Sequence, residues 1–202
     1  MSQKPKWLRA QGEPWRQLAE RAIYDNPGRA GREYDVLPPT GRPALYGVVH
    51  FKNLALAILP LHDDGAVTLV GQSRFPHAGF SWELPEGGGA LDVDPLESAR
   101  RELREETGME AADWTPIGRF QLSNSITDEL AYGFLATGLS QGDAAPDETE
   151  QLSIVRVPSR EALDAVLAGD IEDILTVAIL LRAYHMAREG SLPGALAPAM
   201  LG

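Results

Sequence analysis

Residues 86–108 read EGGGALDVDPLESARRELREETG. Four side chains in this stretch could do chemistry together: Arg101, Glu102, Glu105 and Glu106. On a helix turning by ~100° per residue, the three glutamates fall within roughly a 100° arc. Carboxylates three and four residues apart repel one another and weaken a bare helix. A hard divalent cation bound by oxygen ligands would offset that repulsion. Arg101, one turn ahead of Glu105, can hold that carboxylate by a charge-assisted bond. The plainer reading of such a run is a solvated charged face. The triple glycine before it favours chemistry, because backbone without Cβ can approach a phosphate or offer carbonyls to a metal.

These residues need a helix to carry them, and its ends are legible. Asp94 is a good N-cap, Pro95 suits the first helical position, Glu97 stands where a capping-box partner would, and Gly108 can end the helix in the left-handed region. Leu96, Ala99 and Leu103 form a neighbouring apolar stripe that can bury against a sheet. Upstream, AIYDNPG, REYDVLPPTGRP, ALYGVVHF, LALAILPLHDDG and AVTLVGQSRFP are β-branched or alternating stretches broken by turn residues. LHDDGAVTLV predicts a hairpin with Asp64-Gly65 at its turn. Residues 1–19 read as an arm.

Downstream, IGRFQL, LAYGFLATGL and LSIVRVP predict strands. SREALDAVLAG predicts a short helix opened by Ser159, and residues 171–188 a longer one with Ile171, Ile174, Leu175, Ala178 and Ile179 on its apolar stripe. The tail SLPGALAPAMLG is too rich in Pro and Gly to predict an element. The expected organisation is a β-rich N-terminal part over 1–50, a main domain over 51–188 and a flexible tail over 189–202. The fold class expected is α/β (α+β), a mixed sheet between helices.

Composition narrows the partners. The 202 residues carry 18 basic and 29 acidic side chains, a formal charge of −11. So acidic a chain repels a nucleic-acid backbone, which argues against general nucleic-acid binding; small phosphorylated ligands stay open if cations reverse the local field. There is no cysteine, so thiolate sites and disulfides are excluded. No apolar run approaches the ~18 residues of a membrane span, and MSQKPKWLRAQGEPW lacks a secretory apolar region. A cytoplasmic location and no membrane association are expected. His50, His62, His77 and His185 have no zinc-site spacing, and neither P-loop nor elbow-serine patterns occur.

Gly87 followed by Arg101-Glu102-Leu103-Arg104-Glu105-Glu106-Thr107-Gly108-Met109 resembles the Nudix box, G-x5-E-x7-R-E-U-x-E-E-x-G-U. Eight of its nine specified positions match between residues 87 and 109, and Val93 stands where the pattern has its first glutamate. The resemblance implies a Nudix fold and hydrolysis of a nucleoside diphosphate linked to another group, with Mg²⁺ or Mn²⁺. It implies Glu102, Glu105 and Glu106 as metal ligands, Arg101 as their organiser, and the backbone carbonyl of Glu86 or Gly87 completing the metal shell. Glu105, Glu106 and Arg101 are thereby the expected catalytic group.

YGVVHFKN, GQSRFP, SWELPEGGG, TDE at 127–129 and GDIEDILT at 169–176 are similar to the ADP-ribose pyrophosphatase and nucleotide-sugar branch. That similarity implies a nucleoside diphosphate sugar as substrate. Arg74 would point a guanidinium at phosphate or else form a surface ion pair. Glu83 would join the metal cluster or make a structural hydrogen bond. Trp82 and Phe80 would stack on a base or enter the core. Two positions depart from the branch: no proline follows the box in SNSITDE, and Glu86 stands where alanine is usual. In QGDAAPDETEQ, Glu148 or Glu150 would serve as a general base on a loop, the other reading being a solvated acidic loop.

Two other readings compete: a house-cleaning nucleoside triphosphate pyrophosphohydrolase, and a non-catalytic Nudix-like sensor that Val93 would permit. Because strands over about residues 20–50 are too few to bury their own core, and the resembling branch pairs such strands across a two-fold axis, a homodimer is expected.

Overall fold

The computed structural model describes residues 5–10, 12–142, 151–192 and 196–201. They form two compact units, one of Met1–Lys52 with Ser123–Asp128, the other of Asn53–Leu122 with Glu129–Gly202. In the first, β1 (Arg16–Asp25), β2 (Arg29–Leu37) and β3 (Ala44–Phe51) make an antiparallel meander. β1 begins inside the stretch that the sequence reads as an arm. Ladder pairing with Val36 and Leu37 extends it back to Arg16.

In the second unit the order runs β4 (Asn53–Pro60), β5 (Ala66–Arg74), β6 (Gly79–Glu83), β7 (Glu86–Ala90), α1 (Pro95–Thr107), β8 (Met109–Gln121), β9 (Leu130–Gln141), β10 (Ser153–Pro158), α2 (Ser159–Ala168), α3 (Ile174–Arg188) and α4 (Leu196–Leu201). One sheet has the order β7-β4-β9-β8, mixed because β4 and β9 run parallel; the other, β10-β5-β6, is antiparallel.

β4 explains the layering. Its run Leu56-Ala57-Ile58-Leu59 is wholly buried because each face of the sheet is covered by helices. Leu56 and Ile58 pack with Ala99 and Leu103 of α1, while Ala57 and Leu59 pack with Leu175, Ile179 and Leu180 of α3 and Ala162 of α2. Period-two alternation sends neighbouring residues to opposite layers. Each such buried Leu or Ile contributes about 1.5–3 kcal/mol. The mixed sheet between helices matches the sequence expectation.

The helix that carries the carboxylates starts as read. The Asp94 carboxylate accepts from Leu96 N–H at 2.8 Å, and Gly108 ends it at φ 72°. Glu97 takes no part in that cap bond and faces Arg100 at 3.8 Å. The hairpin turn also stands where expected, with Gly65 N–H donating to His62 O at φ 83°. A Cβ at Gly65 would lie 2.0 Å from Ala199 O, so glycine is required twice over there.

Several local readings are corrected. The EGGGA run, whose glycines carry no strand signal, is strand β7, paired with β4 from Glu86↔Ala57 to Ala90↔Asn53. The long helix starts at Ile174 instead of 171, because the Asp173 carboxylate accepts from Thr176 N–H at 2.7 Å and caps it there. Ile174 is consequently 58% exposed and Ile171 is buried ahead of the helix. Ser159 lies inside α2 with Pro158 at the cap; its hydroxyl donates to Met200 O at 3.0 Å. That bond and burial of Met200 hold α4 in a tail from which no element was expected. IGRFQL is only the end of β8, which ladders to β9 along its length.

Candidate active site

α1 presents its carboxylates to β7. Glu102 and Glu106 are buried at 8% and 3% exposure, and Glu105 is half-buried. Arg101 organises two of the three: Nη2 donates to Glu102 Oε1 at 2.6 Å and to Gly88 O at 2.7 Å, and Nη1 to Glu105 Oε2 at 2.5 Å. Glu106 is held differently, its Oε2 accepting from Glu86 N–H at 3.0 Å. Thus strand β7 and helix α1 are joined through the very carboxylates that the sequence singles out.

Glycine is obligatory at the point of contact. A Cβ on Gly87 would lie 2.1 Å from the Glu102 carboxyl carbon. The close approach of carboxylate to bare backbone is the purpose that the glycine run serves here.

The elements before α1 add a second group. Arg74, at the end of β5, donates from Nε to both Glu83 oxygens at 3.0 and 3.1 Å and pairs with Oε2 through Nη2. On the adjacent strands β5 and β6, Arg74 stands opposite Gly79 and Glu83 opposite Val70, so the long Arg74 side chain runs back along the ladder into a buried-carboxylate pair, with Glu83 3% exposed. Both line a cavity of about 680 Å³, together with His77, Phe80, Asp173 and Ile174. Trp82 packs half-buried on the larger core and meets Phe80 edge-to-face at 5.5 Å, while Phe80 is 57% exposed.

Glu86 belongs to a third cluster. Its Oε1 accepts from the Thr176 hydroxyl at 3.3 Å, and the Thr176 oxygen in turn accepts from Leu84 N–H at 2.9 Å. Burial, with the neighbouring Asp173 carboxylate next, pushes the Glu86 carboxyl well above the usual carboxylate range; the Arg74 guanidinium pulls it only partly back.

Val93 is an exposed turn residue whose N–H donates to Ala90 O at 3.2 Å. Glu148 and Glu150 lie outside the described residues. Thr176 and Asp173 were not singled out by residue chemistry in the sequence. Thr176 meets Leu84 across 92 residues and Glu86 across 90, and no spacing rule reaches that far.

The donor set is all oxygen and anionic, which suits a hard divalent cation. Among the described residues no group of three acidic or histidine side chains is already arranged around one ion; Arg101 and the Glu86 N–H each engage an oxygen of these glutamates.

A mixed sheet between helices, with a carboxylate-bearing helix docked on a glycine strand, defines a class, and residues 52–176 match the NUDIX domain. The chain belongs to the NUDIX family. It is 34% identical over 148 residues to the ADP-ribose pyrophosphatase of Mycobacterium tuberculosis, covering 71% of this chain and 69% of that one. To the ADP-ribose pyrophosphatase of Bacillus subtilis it is 33% identical over 144 residues, covering 70% and 77%. The crystal structure of an ADP compounds hydrolase superposes with a TM-score of 0.80 at 20% identity, over 91% of this chain and 100% of that one, which shows the fold.

Proposed function

We propose that this chain hydrolyses the pyrophosphate bond of a nucleoside diphosphate sugar, ADP-ribose or a close analogue. The observation that carries this reading is the Arg101-organised glutamate set pressed against Gly87. Water adds across one P–O–P linkage: its hydroxyl joins one phosphorus, its proton goes to the departing phosphate, and two monophosphates result. For ADP-ribose these are AMP and a ribose phosphate.

Glu102, Glu105 and Glu106, with a carbonyl of Glu86 or Gly87, would hold the cation, Mg²⁺ with Mn²⁺ as substitute. When bound, such an ion polarises phosphoryl oxygens and lowers the pKa of water. Arg101 fixes Glu102 and Glu105 before substrate arrives, so their order costs nothing during the reaction. Arg74, oriented by Glu83, would face the diphosphate from the cavity wall, and exposed Phe80 would stack on the base with Trp82 behind it on the core. Glu148 or Glu150 takes the proton from the attacking water. An uncharged sugar half suits a chain of charge −11 better than a third phosphate does. The same reading includes a cytoplasmic location.

A panel of nucleotide sugars and triphosphates with Mg²⁺, its products identified by mass, tests the reading. ADP-ribose or another nucleoside diphosphate sugar should give the higher kcat/KM, with two monophosphates formed. Preference for triphosphates with release of inorganic pyrophosphate would replace it with a house-cleaning role. Binding without turnover would make the chain a sensor.

The same reading includes a homodimer through the β1–β3 unit. All ten residues of β1 are exposed, Leu18 at 52% and Ile23 at 63%. Ala30 and Val36 are the only buried apolar residues in that unit among those described. A three-stranded sheet with so little core gains stability by covering its apolar face with a second copy. Light scattering at micromolar concentration should give twice the chain's 21.9 kDa. A monomeric mass would refute the dimer.

A further inference from the structure

The Thr176 hydroxyl is spent in a way that shape alone does not require. Thr176 is completely buried at the first turn of α3, and its own N–H is already taken by the Asp173 cap. Its side-chain oxygen accepts from Leu84 N–H at 2.9 Å, and its proton is directed at Glu86 Oε1, 3.3 Å away. Leu84 and Glu86 flank Pro85, whose carbonyl accepts from Ile58 N–H of β4 at 2.9 Å. The Glu86 N–H then donates to Glu106 Oε2 at 3.0 Å. A short chain of bonds therefore leads from the capped end of α3, through the β6–β7 connection, to a carboxylate of α1.

We propose that Thr176 is a positioning residue: its hydroxyl clamps the Leu84–Glu86 turn so that the Glu86 N–H holds the Glu106 carboxylate in the orientation the reaction needs. The inference rests on the function proposed above. It differs from a packing role, because a buried methyl-bearing side chain would fill the same space without either bond. A threonine in a first helical turn ordinarily bonds locally or to water. Here Asp173 satisfies the helix end, and the hydroxyl is free to serve another element. Groups bonded directly to a ligand typically govern affinity and rate by about 10–100-fold, and Thr176, one bond further back, should act at the lower end of that range.

Binding of Mn²⁺ alone, measured by calorimetry without substrate, separates this role from general stability, together with kcat and KM for ADP-ribose. Thr176→Val keeps the shape and removes both bonds. It should weaken Mn²⁺ binding and lower kcat by about tenfold each, with KM changed less than about twofold. Thr176→Ser keeps both bonds and should restore both quantities to within about twofold of wild type.

A folded Thr176→Val protein with wild-type Mn²⁺ affinity and kcat would overturn the assignment while leaving the hydrolase reading intact. A wild-type chain that neither binds Mn²⁺ nor hydrolyses any nucleotide sugar would overturn both. Should Thr176→Val not fold, Glu86→Ala carries the test, since it removes the acceptor of the hydroxyl proton, together with the Glu86–Asp173 contact, and leaves the Leu84 bond. A smaller loss of Mn²⁺ affinity is then expected, and none would overturn the proposal. Where both variants fold, their effects should combine less than additively, because they break one chain of bonds.

Discussion

Glu106→Gln should lower kcat for the nucleotide sugar by on the order of 10²–10³-fold, about 2.7–4 kcal/mol of transition-state stabilisation. Glutamine has the same shape, and its carbonyl oxygen can still accept from Glu86 N–H, the 3.0 Å bond that fixes the side chain. What it removes is one negative charge from a position 3% exposed, where charge acts through little water. The fold should not suffer. Glu106 follows Glu102 by four residues, and like charges at that spacing repel, so neutralising one holds or raises the melting temperature. Lower activity at equal or greater stability is the signature of a group retained for function. Thermal melts beside steady-state rates at saturating Mg²⁺ decide the matter. A folded variant turning over at the wild-type rate would remove Glu106 from the catalytic set, and a variant that unfolds would make it structural.

Gly87→Ala is the smallest change that should disable the site by sterics alone. The new methyl would sit 2.1 Å from the Glu102 carboxyl carbon and 2.2 and 2.5 Å from its oxygens, so something must move. The strand cannot retreat easily, because Gly87 pairs with Leu56 in the wholly buried run of β4. Glu102 must move instead, and with it goes the 2.6 Å bond to Arg101, which also holds Glu105 and Gly88 O. Overpacking of this kind costs about 1–3 kcal/mol of stability. The misplaced carboxylate should cost a further factor of about 100 in kcat, as a displacement near 1 Å does elsewhere. Urea denaturation and kcat, measured on the same preparation, should both move. Wild-type activity in the alanine variant would mean that Glu102 contributes nothing from its position against β7.

Much of this was readable along the chain because it depends on neighbours a few residues apart. The helix period sets Glu102 and Glu106 one turn apart and Arg101 one turn before Glu105, and the Arg101–Glu105 bond joins just such a pair. Asp94 and Gly108 marked the ends of α1 by cap chemistry that acts within one turn. The apolar run LALAILP announced a strand, and the structure shows that strand covered on both faces. Turn residues located the Asp64-Gly65 hairpin. For Arg74 two partners stayed open until the β5–β6 pairing brought Glu83 within reach of its side chain.

Other features had no local signal. EGGGA has poor strand propensity, and only pairing with β4 makes it a strand. Leu196–Leu201 is a helix because the Ser159 hydroxyl and a core pocket for Met200 await it from elsewhere in the chain. The length of β1 depends on the partner strand that follows it. Thr176, ninety residues beyond Glu86, is tied to it by no periodicity at all. The sequence by itself determined which residues share the face of α1, where α1 is capped and where most strands and turns fall, since these rest on backbone geometry within a few residues. Tertiary structure alone decided what that face is pressed against and which distant hydroxyl steadies it, because such contacts form only when several elements pack at once.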